Sequence, residues 1–333
     1  MDLPTPLRYL SASDVTAAMP DLPARLALAE TTLRGLAGPA DLPAKIGVHP
    51  RPDGSFGHAM PAFLPGGGAD GSGDRLGMKW VLGFPANAAA GQPVISALLL
   101  LNDPLTGFAS AILDAGPITA QRTAAVSGVA IRAWAAPSDP ARPRAALIGA
   151  GVQGHSHLPV LAHLLPGLTL ALFDRDAGRL DALARVARDA PGVGSVSVAR
   201  SARAAVEGAD VVVTAVSFAP PAERQAMTGD WLTPNALVVA VDYATLCSAE
   251  VARGAALFVT DHTGQFLANR DAGQFDGYPV PHAMIGAALD APTPRPSGRV
   301  VATHLGTGLA DVVFGSAILA EAERSGLGTL LPR

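Results

Sequence analysis

The feature that most constrains this chain is the turn Gly149-Ala150-Gly151-Val152-Gln153-Gly154, taken with what stands on either side of it. It follows the apolar run Arg144–Ile148, opens a helical stretch at His155–Leu165, and is answered by Asp174 after the next apolar run, Leu168–Phe173. In a chain with 36 glycines a G-x-G-x-x-G match alone says little. In this setting each glycine has a task. Gly149 makes a tight turn, Gly151 lets a pyrophosphate approach the backbone, and Gly154 lets helix and strand pack closely. The helix N-terminus adds unpaired N–H groups and partial positive charge for phosphates. The pattern predicts a dinucleotide-binding strand-turn-helix, the alternative being a plain Gly-rich connection.

The cofactor reading follows from Asp174. A carboxylate there accepts hydrogen bonds from ribose hydroxyls and repels a 2′-phosphate, which favours NAD. Arg175 beside it would serve NADP if it paired with that phosphate; otherwise it is a solvated surface charge. Helical and apolar stretches go on alternating: Gly178–Arg188, Ser195–Val198, Ser201–Gly208, Val211–Ala215, Leu237–Val241, Leu257–Thr260. That alternation predicts a parallel sheet covered on both faces, a Rossmann domain. Thr214, Ala215, Val216 and Asp242 fall at the ends of two of these runs. With Val152 and Gln153 they are the candidate cofactor contacts in this part of the chain.

Before Pro140 the texture differs. A first helix is expected near Asp14–Leu36, then short apolar stretches (Ile46–His49, Ala59–Leu64, Gly77–Gly83, Pro93–Leu101) broken by the Gly-rich Gly66–Gly73. Leu98–Leu101 and Ala109–Leu113 flank Asn102-Asp103-Pro104-Leu105-Thr106-Gly107, a hairpin signal. A helix is expected over Thr119–Trp134 with Thr119 as N-cap, and another over Thr307–Ala322. The reading is an α/β fold of two domains. Residues 121–300 form the Rossmann NAD-binding domain, and residues 1–120 with 301–333 form an α+β substrate-binding and dimerisation domain.

Bulk properties exclude several classes. A net charge of −4 offers no basic field for nucleic acid or an anionic membrane, and the longest apolar runs are too short to span a bilayer. The single cysteine, Cys247, rules out an internal disulfide framework and any multi-cysteine metal site, which fits a cytoplasmic location. No secretory leader is evident in the first residues. His155 and His157 diverge on a helix and share no metal; they are expected at the surface or as caps. No serine-hydrolase elbow or P-loop is present.

His58-Ala59-Met60-Pro61, Gly77-Met78-Lys79-Trp80, Thr119-Ala120-Gln121-Arg122-Thr123-Ala124-Ala125 and the Gly149–Gly154 turn, in that order, resemble the ornithine cyclodeaminase/μ-crystallin family over nearly the whole chain. Its members include ornithine cyclodeaminases, an archaeal-type alanine dehydrogenase, ketimine reductases and N-substituted amino-acid dehydrogenases. They interconvert an amine and an imine at an α-carbon with NAD(P). The resemblance implies a homodimer joined through strands of the first domain, with an active site in the cleft between the domains. It also implies that Lys79 is the active-site lysine, that Arg122 grips the substrate carboxylate, and that Lys45 stands where many members have a second arginine. Cationic donors of this kind suit a carboxylate and polarise an adjacent imine. Met60, His58 and His304 are candidate lining groups, Gly306 lies in a segment that the family folds back over the nicotinamide and is by that resemblance a candidate cofactor contact, and Asp242 would handle the substrate nitrogen or its proton. The bland alternatives are a turn or N-cap aspartate for Asp242 and a backbone-bonded strand histidine for His58.

Two departures argue against cyclodeaminase chemistry. Tyr243-Ala244-Thr245-Leu246-Cys247-Ser248 replaces the family's Pro-Gly-Lys-Thr run, and His58 replaces the glutamate that faces the substrate's distal nitrogen. The expected function is an NAD(P)-dependent amino-acid dehydrogenase or ketimine reductase acting on a small carboxylate-bearing amino, imino or keto acid. A cyclodeaminase and a non-catalytic, μ-crystallin-like binding protein stay open as alternatives.

Overall fold

The change of texture near Pro140 is a change from a mostly antiparallel to a parallel sheet. The computed structural model describes residues 6–332 except 53, 69, 70, 218 and 291–294, so Ala69 and Asp70 of the Gly-rich stretch lie outside the described residues. The chain divides into two units, Met1–Arg122 with Gly306–Arg333, and Thr123–Leu305. The second boundary falls after residue 300 because Val300–Thr303, not foreseen as a strand, pairs within the second unit's sheet.

The first unit runs β1 (Leu7–Leu10), α1 (Ala12–Ala17), α2 (Leu22–Ala37), β2 (Ile46–Val48), β3 (Phe56–Leu64), β4 (Arg75–Gly83), β5 (Ile95–Asn102) and β6 (Ala109–Asp114). Helix α3 (Gly116–Trp134) begins there and continues into the second unit. The second unit comprises β7 (Arg144–Ile148), α4 (Val152–Leu164), β8 (Leu168–Phe173), α5 (Ala177–Arg188), β9 (Val193–Val198), α6 (Ala202–Val206) and β10 (Val211–Thr214). It goes on through β11 (Leu237–Ala240), α7 (Ala249–Arg253), β12 (Leu257–Thr260), α8 (Thr263–Asp271), β13 (Ala283–Met284), α9 (Ile285–Asp290) and β14 (Val300–Thr303). The first unit is completed by α10 (Gly308–Arg324) and β15 (Thr329–Leu331).

Two helix starts differ from expectation. The stretch Asp14–Leu36 is two helices, because Pro20 has no N–H and disfavours helix in the residue before it, while Asp21 caps α2 by accepting from Ala24 N. Thr119 lies inside α3 and is not its cap. The helix starts at Gly116, whose N–H is held by Asp114 Oδ1 at 2.9 Å, and Thr119 N already bonds Ala115 O at 2.8 Å.

In the first unit the strand order is β15-β1-β6-β5-β4-β3-β2, antiparallel except that β1 runs parallel to β6. Strand period decides which residues meet the helices. On β4, Gly77, Lys79, Val81 and Gly83 are buried, while Leu76, Met78, Trp80 and Leu82 are only half-buried. Helix α10 packs on β3, β4 and β5 and against α2. The other face carries an apolar row in register, Pro61–Met78–Leu100–Ile112–Tyr9.

The second unit's sheet has the order β13-β12-β14-β11-β10-β7-β8-β9, with parallel pairings. Strands β10, β11 and β14 are buried at every residue, as expected of strands covered on both faces. From β7 the chain steps outward to β8 and β9, then returns to lay β10 on β7's other side. The carboxyl ends of β7 and β10, paired at Ile148 and Thr214, therefore flank a topological switch point, where open α/β sheets bind ligands.

Candidate active site

Two groups of side chains concentrate the chemistry, one in each unit. In the first unit, strand alternation turns Lys79 onto the helix-covered face, where it is 1% exposed. Its Nζ lies 2.5 Å from Asp311 Oδ2 and 3.4 Å from Thr119 Oγ1. Asp311 sits fully buried in the first turn of α10, where the helix dipole favours a carboxylate, and its Oδ1 accepts from Arg122 Nε at 3.2 Å. Gly306, at φ +73, lets the chain pass Arg122; a Cβ there would stand 2.4 Å from Nη1 and 2.8 Å from Nη2. Glycine is required at this position both by its backbone conformation and by this approach.

Met60 is the cross-strand partner of Lys79 and is buried. His58 precedes it on the same face and stacks on Phe56 with centroids 4.6 Å apart. Burial, with the nearby basic groups Lys45, His49 and Lys79, pushes the His58 imidazole down to about 4, so it is neutral near pH 7. Lys45 is half-buried ahead of β2, and its charge bears on both His58 and Lys79. For Lys79 itself, burial outweighs the attraction of Asp311, and Arg122 and Lys45 add repulsion; the ammonium comes down to about 7.

In the second unit the Gly149–Gly154 turn follows β7 at the switch point. Gly149 has φ +109, and a Cβ there would lie 2.4 Å from Ala215 O; at Gly154 a Cβ would lie 2.2 Å from Gly149 O. The fold thus needs both glycines. Gly151 is the N-cap of α4, offers no capping side chain, and would have no protein atom within 4 Å of a Cβ. The space over Val152 and Gln153, at the start of α4, is where an anion could meet helix N–H groups. Asp174 accepts from Ala150 N at 2.6 Å and Asp176 N at 2.8 Å, tying the end of β8 to the turn. Arg175 is exposed and paired with Glu223 at 3.3 Å.

Asp242 follows β11 and is 3% exposed. Thr214 Oγ1 donates to it at 2.9 Å and Val216 N at 3.4 Å. Burial outweighs those bonds and pushes the carboxyl up to about 7, so near neutrality it can hold or release a proton. His304, just past β14, is buried with Nε2 2.8 Å from Ser127 Oγ. That hydroxyl also meets His157 Nε2 at 2.8 Å. His157 is therefore not a surface or capping group. It is fully buried, its Nδ1 lies 2.6 Å from Gln153 O, and burial pushes it down to about 4. His155 is exposed.

Sequence reasoning missed Asp311 and the Ser127–His157 pair. Asp311 had a signal: it is the one acid in Leu309-Ala310-Asp311-Val312-Val313-Phe314, and a carboxylate in a buried apolar run needs a cation. Among the described residues no group of three or more His, Cys, Asp or Glu could hold a metal ion, and no helix is long and apolar enough to cross a membrane.

A parallel sheet with a Gly-rich turn at its switch point, joined to a separate unit with buried paired cations, defines a two-unit α/β protein of Rossmann type. The profile of the ornithine cyclodeaminase/mu-crystallin family matches residues 12–263, and the chain belongs to that family. It is 33% identical over 333 residues to the nodulation efficiency protein NfeD of Rhizobium meliloti, covering 98% of each chain. It is 31% identical over 266 residues to a Delta(1)-pyrroline-2-carboxylate reductase 2 of Burkholderia ambifaria, covering 78% of this chain and 79% of that one. Among solved structures, the Thermococcus litoralis Delta(1)-pyrroline-2-carboxylate reductase, in complex with NADH and L-proline, superposes with a TM-score of 0.82 at 23% identity over 98% of this chain and 100% of that one.

Proposed function

We propose that this protein is an NAD-dependent oxidoreductase of the C–N bond at the α-carbon of a small amino or imino acid, working as an imine reductase or an amino-acid dehydrogenase. The observation that carries the reading is the buried Lys79–Asp311–Arg122 constellation, two cations sharing one carboxylate. A site with one excess positive charge suits a ligand carboxylate, and the terminal nitrogens of Arg122 suit its two oxygens. The residues at the switch point fit a dinucleotide: Gly149 and Gly154 serve the fold, whereas the open surroundings of Gly151 serve no protein contact. Gly149–Gly154, Asp174 and Thr214–Val216 would hold it, and when bound it supplies or accepts the hydride. Asp174 favours NAD over NADP.

Lys79 and Arg122, with Lys45 nearby, fix the substrate carboxylate and draw electron density from the imine carbon. Asp242 holds a proton at its carboxyl near neutral pH and exchanges it with the substrate nitrogen. A neutral His58 among Lys45, His49 and Lys79 gives no attraction to a side-chain ammonium, which favours a compact or acidic side chain over ornithine. The apolar outer row Pro61–Met78–Leu100–Ile112–Tyr9 supports a homodimer joined through the first unit's sheet.

The test is a panel of 2-oxo acids with ammonia or methylamine, followed by NADH absorbance. Turnover with at least one pair is expected. NADH binding without turnover across the panel would leave a μ-crystallin-like binding protein as the better account.

A further inference from the structure

Of the 24 basic residues in this chain only Lys45 and Lys79 are lysines; the rest are arginines. Lys79 occupies a fully buried position, where the two side chains differ most. A desolvated ammonium can release its proton, whereas a guanidinium cannot. The charge of Lys79 is therefore decided by what surrounds it. Asp311 faces it from α10, Arg122 and Thr119 from α3, Lys45 from ahead of β2, and neutral His58 from β3. The acid in that set is Asp311.

We propose that Asp311 is the positioning residue of this site: its two carboxylate oxygens, divided between Lys79 Nζ and Arg122 Nε, hold the two cations together and leave the terminal nitrogens of Arg122 to the substrate carboxylate. This rests on the reading of Lys79 and Arg122 as substrate-holding groups. Asp311 acts through them and need not touch substrate. It occupies the first turn of α10, beside Gly308, whose missing Cβ lets the helix start against Met60 O; a Cβ there would stand 2.2 Å from that oxygen. Met60 is the register partner of Lys79, so the helix start and Lys79 are fixed to the same point of the sheet. Taking away the negative charge would leave Lys79 and Arg122 repelling each other in a buried space, and Lys79 would shed its proton at lower pH.

The two-lysine composition makes this directly measurable. Protein labelled with 13Cε-lysine gives two resonances, and Lys45 serves as the internal reference. We expect Lys79 to titrate near neutrality in the wild type. In Asp311→Asn the midpoint should fall by at least one pH unit, with Asp311→Glu recovering part of the shift. With the best substrate pair, kcat/KM at pH 7 should drop at least 30-fold in Asp311→Asn, and the alkaline limb of its pH profile should move down together with the Lys79 midpoint. NADH affinity should stay within about twofold, which separates the effect from loss of fold. An unmoved Lys79 midpoint, or an alkaline limb that stays put while the midpoint moves, overturns the proposal. If Asp311→Asn does not fold, Arg122→Gln tests the same coupling with the opposite sign, since removing the second cation must raise the midpoint. Should the function reading fail and no substrate turn over, the lysine titration still decides whether Asp311 governs Lys79.

Discussion

Gly151→Ala separates a glycine needed by a ligand from glycines needed by the fold. At Gly149 and Gly154 a methyl would run into backbone oxygen at 2.4 and 2.2 Å, and Gly149 adds a left-handed conformation that costs about 1–2 kcal/mol in other residues. Gly151 has φ −78 and ψ −162, ordinary for any residue, and a Cβ there meets no protein atom within 4 Å. Alanine is the poorer N-cap by about 0.5–1 kcal/mol. Restricting the unfolded chain returns about 0.4–1 kcal/mol. The two effects nearly cancel, so Tm should move by no more than about 2–4 °C. Bound pyrophosphate would feel the methyl directly. Losing one hydrogen bond to a charged group costs about 1.5–3 kcal/mol, which weakens NADH binding about ten- to hundredfold. Thermal melts and NADH fluorescence titrations on the same preparations measure both quantities. Wild-type Tm with wild-type NADH affinity would refute the placing of the pyrophosphate at Gly151. A large loss of Tm would refute the reading of that space as open.

Three further outcomes are expected. Arg122→Lys keeps the charge but cannot bond Asp311 through Nε while presenting a planar fork, so kcat/KM should fall by about tenfold or more; unchanged kinetics would make Arg122 a structural residue. Asp242 is pushed up to about 7, so between the ordinary 3.8 and 7 the folded protein holds a proton that the unfolded chain has lost, and this group lowers stability as pH rises, against His58 and His157, whose imidazoles, pushed down to about 4, raise it up to 6.5. Asp242→Asn should make stability in urea unfolding rise more steeply, or fall less, between pH 4 and 7, and should leave an alkaline activity limb that follows Lys79 alone; a pH dependence of stability identical to wild type excludes Asp242 as a contributor. Incubation with ornithine and NAD should give little or no proline by chromatography, and efficient proline formation would reverse the inference from His58.

The second unit was largely legible in the sequence because a parallel sheet writes itself as short apolar runs, and Gly149, Gly154 and Asp174 carry constraints local to one strand-turn-helix. Lys79 and Arg122 came through family motifs, and the burial of Lys79 was hinted by its place between Met78 and Trp80. What escaped depends on contacts far apart in the chain. Asp311 meets Lys79 and Arg122 only because α10 returns to the first unit, and strand Val300–Thr303 belongs to the second sheet by pairing with β11 and β12. His157 looked like a surface group because its helix position says nothing of Ser127, which reaches it from α3. Local errors had local causes. Thr119 resembles a cap, but Asp114 starts the helix one turn earlier and leaves the threonine hydroxyl to Lys79.

The charge inventory of the first unit gives these observations a common cause. With Lys79 protonated, Lys79 and Arg122 outweigh Asp311 by one positive charge in a space nearly closed to water. An uncompensated buried charge costs several kcal/mol, and there are two ways to remove it. Lys79 can release its proton, or an anion can enter. A lysine brought down to about 7 lies near the balance between them, so arrival of a carboxylate and retention of the Lys79 proton become one event. A ligand without a carboxylate leaves the excess charge in place and has to bind the deprotonated form instead. On the proposed function, selectivity for α-carboxylates would come from the cost of the empty site as much as from the bonds of the filled one. The same arrangement accounts for an amine at position 79 in a chain whose basic residues are arginines save for Lys45 and Lys79, because a second guanidinium there could not relieve the excess when the site is empty.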